Sequence, residues 1–151
     1  MGDSNLKLAR NIPTGIEVHA VPGLTFKHVV TILSRLQTTD NPVRIVISAG
    51  INHRDAQFAE LQTELEQLRQ AVADSAHEII FAGVPISNSH GKEHVRNINR
   101  INDELKERFQ DRFIRPIGRE GVVIAASDTY WVHHTQLTTD KALLSIIDFL
   151  E

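Results

Sequence analysis

A chain of 151 residues, 41% hydrophobic and 23% charged, is long enough to bury a sizeable core and too apolar to be disordered. Its net charge of −3, with no run of lysine or arginine, argues against direct nucleic-acid binding, which needs a basic footprint on the phosphates. The lack of cysteine removes thiol nucleophiles, disulfides and thiolate metal sites, and no apolar run approaches the roughly 18 residues of a membrane span.

In chain order, Met1-Gly2-Asp3-Ser4 lacks the basic and then apolar pattern of a secretory leader, so a soluble, cytoplasmic protein is expected. Gly2-Asp3-Ser4-Asn5 stands ahead of a short helical stretch, Leu6–Arg10, and Ile16–Val21 reads as a strand. Thr25 is placed to cap a helix whose apolar residues are Phe26, Val29, Val30, Leu33 and Leu36. Val43–Ala49 is nearly continuous in its hydrophobicity and rich in β-branched residues, the pattern of a parallel strand covered on both faces. Phe58, Leu61, Leu65, Leu68 and Val72 mark a second helix, and Glu78–Val84 a further strand. After a polar turn at Asn88–Lys92, the helical period returns in Val95, Ile98, Ile101, Leu105 and Phe109. Beyond the turn at Gly118–Gly121, Val122–Ala126 is a fourth, shorter strand candidate, and Ala142–Leu150 a closing helix. Strands alternating with such helices make βαβ units, hence an α/β fold with a mostly parallel sheet between helical layers. No repeat or linker interrupts residues 1–151, which are read as one domain.

In an open parallel sheet, chemistry collects on the loops beyond the carboxyl ends of the strands. Three features fall there. Ser4 begins a helical stretch, where unpaired N–H groups can face a developing oxyanion, although Asp-Ser-Asn is also ordinary capping chemistry. Gly50-Ile51-Asn52 follows the strongest strand; its amide is a hydrogen-bond donor, or simply part of a strand-ending turn. Val132-His133-His134-Thr135 offers a general base on a loop just before the last helix, or merely two surface histidines.

Taken together, these features resemble the SGNH hydrolases, also called GDSL-like esterases, which are named for serine, glycine, asparagine and histidine in four blocks. Gly2-Asp3-Ser4-Asn5 looks like the first block and Pro22-Gly23-Leu24-Thr25 like the second. Gly50-Ile51-Asn52 matches the third, and Val132-His133-His134-Thr135 the last, all in the family's order. The resemblance implies a flavodoxin-like three-layer α/β/α sandwich with Ser4 as nucleophile and His133 as base. It also implies an oxyanion hole formed by the Ser4 and Gly23 N–H groups and the Asn52 amide. No metal or organic cofactor is implied. Pro22–Phe26, Ile47–Arg54 and Asp140-Lys141-Ala142 further resemble the acetylhydrolase-like esterase domain in the first-open-reading-frame proteins of LINE-type retrotransposons. That likeness implies a lipid or small-molecule ester as substrate, and places any self-association and RNA binding outside this domain.

Two features depart from the family pattern. Its last block reads Asp-x-x-His, but Tyr130 stands three residues before His133 and the nearest upstream acid is Asp128. Asp128 reaches the imidazole only if the loop bulges; otherwise a backbone carbonyl orients His133, or nothing does and the domain is a weak enzyme or a lipid- or protein-binding module. Reading His134 as the base puts Trp131 at the acid position instead. The second departure is that the family's first strand precedes its nucleophile, whereas only Met1, Gly2 and Asp3 precede Ser4 here, so that strand is missing, upstream or differently arranged. His90 and His94 have metal-ligand spacing, but Gly91 stands where a zincin carries glutamate, and no metal is expected. Asn97, Asn99 and Asn102 read as surface residues flanking a helix.

Overall fold

Ile45-Val46-Ile47 form the centre of strand β1 (Arg44–Ser48). In a computed structural model, which describes residues 1–10, 12–36, 40–126, 128 and 133–151, β1 pairs in parallel with β2 (Glu78–Ala82), from Arg44 against Glu78 to Ser48 against Ala82. A two-residue strand β3 (Phe113–Ile114) extends the sheet in parallel beyond β2. Side chains alternate across this sheet, and both faces are covered. Ile47, Ile79 and Phe81 enter the main core with α1 (Phe26–Arg35), α2 (Phe58–Ala73) and α3 (Lys92–Phe109). Val46, Ile80, Ala82 and Ile114 face the other way, against Ile146 and Leu150 of α4 (Gln136–Leu150). The result is the expected three-layer α/β/α sandwich.

The helices follow the apolar stripes that announced them. Thr25 caps α1: its Oγ1 accepts from the His28 N–H at 3.3 Å while its own N–H donates to His28 Nδ1, so a histidine closes the capping box. Leu61, Leu65, Leu68 and Val72 bury one face of α2, and Ile98, Ile101, Leu105 and Phe109 one face of α3. Helix α4 starts six residues before Ala142, capped by Thr135. Its first turns bury Thr138 and Thr139, which carry no apolar signal.

Two strand expectations need correction. Ile16–Val21 is extended but joins the sheet at a single bridge, Ala20 to Gly2. Its neighbour is only the short segment Met1–Asp3, which lies between it and β1 with parallel bridges to both. Thus a three-residue stub occupies the second position in the order 16–21, 1–3, β1, β2, β3. Val122–Ala126 is not a parallel strand. It folds back on the chain that follows, with an antiparallel bridge from Ile124 to His134 flanked by bonds from Ala125 N–H to the His133 carbonyl (2.8 Å) and from Thr135 N–H to the Val123 carbonyl (2.9 Å).

The glycines of two blocks are dictated by contact. A Cβ on Gly2 would lie 2.9 Å from the Ser48 carbonyl oxygen. Gly50, at φ 128°, would direct a Cβ to 2.7 Å from Val84.

Candidate functional site

The turn from Val21 to Leu24 has Pro22 and Gly23 at its centre, with Gly23 at φ +70° and Leu24 N–H returning to the Val21 carbonyl at 3.2 Å. Proline followed by a positive-φ glycine is the signature of a type II turn. The next block reaches across to it: Asn52 Nδ2 donates to the Leu24 carbonyl at 3.1 Å. This joins the second and third blocks. An amide nitrogen carries two hydrogens, so one is left for another acceptor.

The first and last blocks are joined as well. Ser4 begins a 3-10 turn running to Leu8, capped by the Asp3 carboxylate, which accepts from Asn5 N–H at 2.9 Å. Asn5 then spans the gap to the histidine loop. Its side-chain oxygen accepts from His134 N–H at 2.7 Å, and its carbonyl accepts from Thr139 Oγ1 at 3.3 Å. Burial raises the pKa of Asp3, opposed by the bonds from Asn5 and by the charge of nearby His133. Ser4 Oγ makes no hydrogen bond among the described residues, so no bond joins it to His133 here.

Asp128 is the acid that meets His133. Its Oδ1 lies 3.1 Å from His133 Nδ1, and its Oδ2 accepts from the His133 backbone N–H at 2.6 Å. The acid is almost wholly buried, with 3% of its side chain exposed, while His133 is 47% exposed. A five-residue spacing reaches because Asp128 follows a turn, its N–H bonded to the Ala125 carbonyl at 2.9 Å. Tyr130, Trp131 and Val132 lie outside the described residues.

His134 points the other way, into a cavity of about 30 Å³ lined by Asp3, Asn5, Ser48 and Thr139. Its Nε2 is buried without a hydrogen-bond partner among the described residues. Burial, reinforced by His90 and His133, pushes its pKa down to about 4. A histidine of pKa 6.5 when unfolded and about 4 when folded stabilises the native state fully above pH 6.5. That stability drains away as pH falls toward 4, because only the unfolded chain takes up the proton. The loss is on the order of 3 kcal/mol. The melting temperature should therefore drop between pH 6.5 and 4, and His134→Gln should flatten that slope. Equal slopes for the two proteins would assign the acid sensitivity elsewhere.

Several contacts around the candidate site carry little sequence signal. Asn102 was expected at the surface, yet it clamps the Val84 peptide at the end of β2, accepting from its N–H at 2.7 Å and donating to its carbonyl at 3.0 Å. Asn97 donates to the Arg54 carbonyl at 2.7 Å, holding the loop that follows Asn52. Asn99 is exposed, as expected. The His90 and His94 rings meet edge-on at 6.4 Å, and His94 Nε2 pairs with Asp55 at 2.9 Å. Among the described residues, no three acidic or histidine side chains are placed to hold a metal. Nor is any described helix long and apolar enough to cross a membrane.

No family model matches the chain, and no curated protein matches it. A solved structure from Streptococcus pneumonia, provisionally described as a platelet activating factor, superposes with a TM-score of 0.70. The match covers 99% of this chain and 81% of that one at 18% identity. At that identity the likeness establishes the fold alone: the three-layer α/β/α arrangement is shared with a known structure.

Proposed function

We propose that this protein is a serine ester hydrolase acting on short acyl esters, acetyl-like, of a lipid or small molecule. The carrying observation is the Asp128–His133 pair, set on a loop that Asn5 ties to the Ser4 turn. Asp128 would hold the Nδ1–H tautomer and leave Nε2 free to take the Ser4 proton as Oγ attacks the ester carbonyl. The Ser4 and Gly23 N–H groups and the second Asn52 hydrogen would receive the oxyanion. His133 would then pass the proton to the leaving alcohol, and water would release the acid from the acyl-serine by the same steps in reverse. None of these steps needs a metal or organic cofactor. The acetyl ester, the lipid and a retroelement origin rest on the sequence resemblance to SGNH esterases of LINE-type elements.

The test is covalent. Rapid quenching of the full chain with p-nitrophenyl acetate should leave one acetyl group on the peptide carrying Ser4, found by mass spectrometry. A specific observation favours a second reading: the resting Ser4 hydroxyl is not bonded to His133. A folded protein with neither acyl-serine nor turnover, holding a lipid or partner in the same crevice, would be a binding module instead.

Asn52→Ala is expected to lower kcat by roughly 10²–10³-fold through loss of an oxyanion donor. It should also cost about 1 kcal/mol of stability, because the bond to the Leu24 carbonyl goes with it. A melting-temperature loss without the kcat loss would make Asn52 a turn residue only.

A further inference from the structure

His53 is a buried titratable side chain that the proposed chemistry leaves unused, 5% exposed in the 3-10 turn Ile51–His53 that also carries Asn52. Its ring stacks on Phe26 of α1, with centroids 4.5 Å apart and planes 19° from parallel. Its Nε2 lies 2.8 Å from Glu64 Oε2 on α2. A carboxylate only accepts, so the shared hydrogen sits on Nε2. Nδ1 is buried with no hydrogen-bond partner among the described residues, which suits a bare lone pair better than a second N–H.

A three-residue 3-10 turn has little to hold it in place. Its backbone supplies two bonds, from His53 N–H to the Gly50 carbonyl at 2.9 Å and from Arg54 N–H to the Ile51 carbonyl at 3.2 Å. The imidazole adds a contact to each of two helices. One of these leads straight to the oxyanion hole. Phe26 stands three residues beyond Gly23 and two beyond Leu24, whose carbonyl receives the Asn52 amide at 3.1 Å. The ring stack and the amide bond thus run side by side between the same two segments, 23–26 and 50–53. A stack alone lets one ring slide or turn over the other; the bond to Glu64 fixes where it stops. A phenylalanine side chain would stack as well and bury no polar group. What the imidazole adds is direction.

We propose that the Glu64–His53 pair positions the oxyanion hole, fixing the Asn52 amide in direction and in distance from the Gly23 N–H without touching the substrate. The proposal deepens the serine-hydrolase reading and rests on it for its catalytic consequence. Oxyanion donors act on charge that exists only in the transition state, so their misalignment lowers kcat and leaves KM. A positioning residue also acts only through the group it positions. Once the Asn52 amide is gone, His53 has nothing left to aim.

The test uses the full chain with p-nitrophenyl acetate and two variants, His53→Phe, which keeps the stack, and Glu64→Leu, which keeps the imidazole. Each is expected to lower kcat by roughly 10–100-fold with KM within about twofold of wild type. Glu64→Gln, whose side-chain oxygen still accepts from Nε2, should recover most of the loss. In an Asn52→Ala background, His53→Phe should cost no more than about a further twofold. NMR of the Asn52 side-chain amide reads the same event without turnover. The signal of the proton bonded to Leu24 should move toward that of a free amide in His53→Phe and Glu64→Leu, and hold its place in Glu64→Gln. An Asn52 signal unmoved in folded His53→Phe and Glu64→Leu would overturn the proposal, whatever their rates. So would unchanged kcat in an active enzyme, or a His53→Phe loss as large in the Asn52→Ala background as in wild type. A wild type without turnover, whose amide signal still moves in the two variants, would remove the hydrolase reading and leave the positioning of Asn52 in place.

Discussion

Ser4→Ala and His133→Ala are each expected to bring p-nitrophenyl acetate hydrolysis to near the uncatalysed rate. In a well-coupled triad such losses are on the order of 10⁶-fold in kcat, and removing both groups costs little more than removing either. The reason is mechanistic: without the base the hydroxyl keeps its proton, and without the hydroxyl the base has nothing to activate. The Ser4 side chain can be removed with little structural cost, whereas losing the His133 ring also takes a partner from the buried Asp128 carboxylate. Ser4 makes no hydrogen bond among the described residues, and the His133 side chain is 47% exposed. Thermal melting of Ser4→Ala should stay close to wild type and that of His133→Ala should fall modestly, while turnover disappears in both. Turnover surviving in Ser4→Ala would remove this serine from the chemistry whatever else the fold suggests.

Asp128→Asn is expected to reduce kcat by as much as about 10⁴-fold. Two of the groups that face this carboxylate come from His133: its backbone N–H always donates, and the ring Nδ1 donates in the productive tautomer. An asparagine has a single acceptor oxygen. If the backbone N–H takes it, the amide NH₂ faces Nδ1, which must then accept, and the proton moves to Nε2 where it blocks uptake from Ser4. The substitution also loses a buried charge-assisted bond, worth about 1.5–3 kcal/mol, so stability and kcat need to be measured together. A variant as active as wild type would mean that Asp128 only shapes the loop.

Much of the architecture was legible because it is written in periodic apolar residues. The β-branched run in β1 and the stripes of α1, α2 and α3 led to elements within a few residues of those observed. What escaped was held by other means. β3 is two residues long, too short to show alternation, and owes its place to pairing with Phe81 and Ala82. The first turns of α4 bury threonines that bond back to the chain, Thr138 Oγ1 accepting from Val123 N–H at 2.9 Å. At the site, the blocks marked the positions but not what joins them. Asn5, Asn102 and the turn that delivers Asp128 act through a few individual hydrogen bonds, which have no period to detect. Asn5 was visible only as a member of its block, and Asn102 looked like any polar residue beside an apolar stripe.

The tether from Asn5 has a consequence for the order in which the molecule assembles. Its two bonds join residues 129 and 134 positions apart, close to the largest separation a chain of 151 residues allows. Contacts of that span carry a large loop-closure cost and form after local ones. Pairing of β1 with β2, which flank a single helix, requires far less chain. During synthesis the β1–β2 unit can therefore be in place while Ser4 still waits for the last helix to leave the ribosome. The Ser4 turn is made before β1, and the loop that Asn5 ties to it is made only after β3.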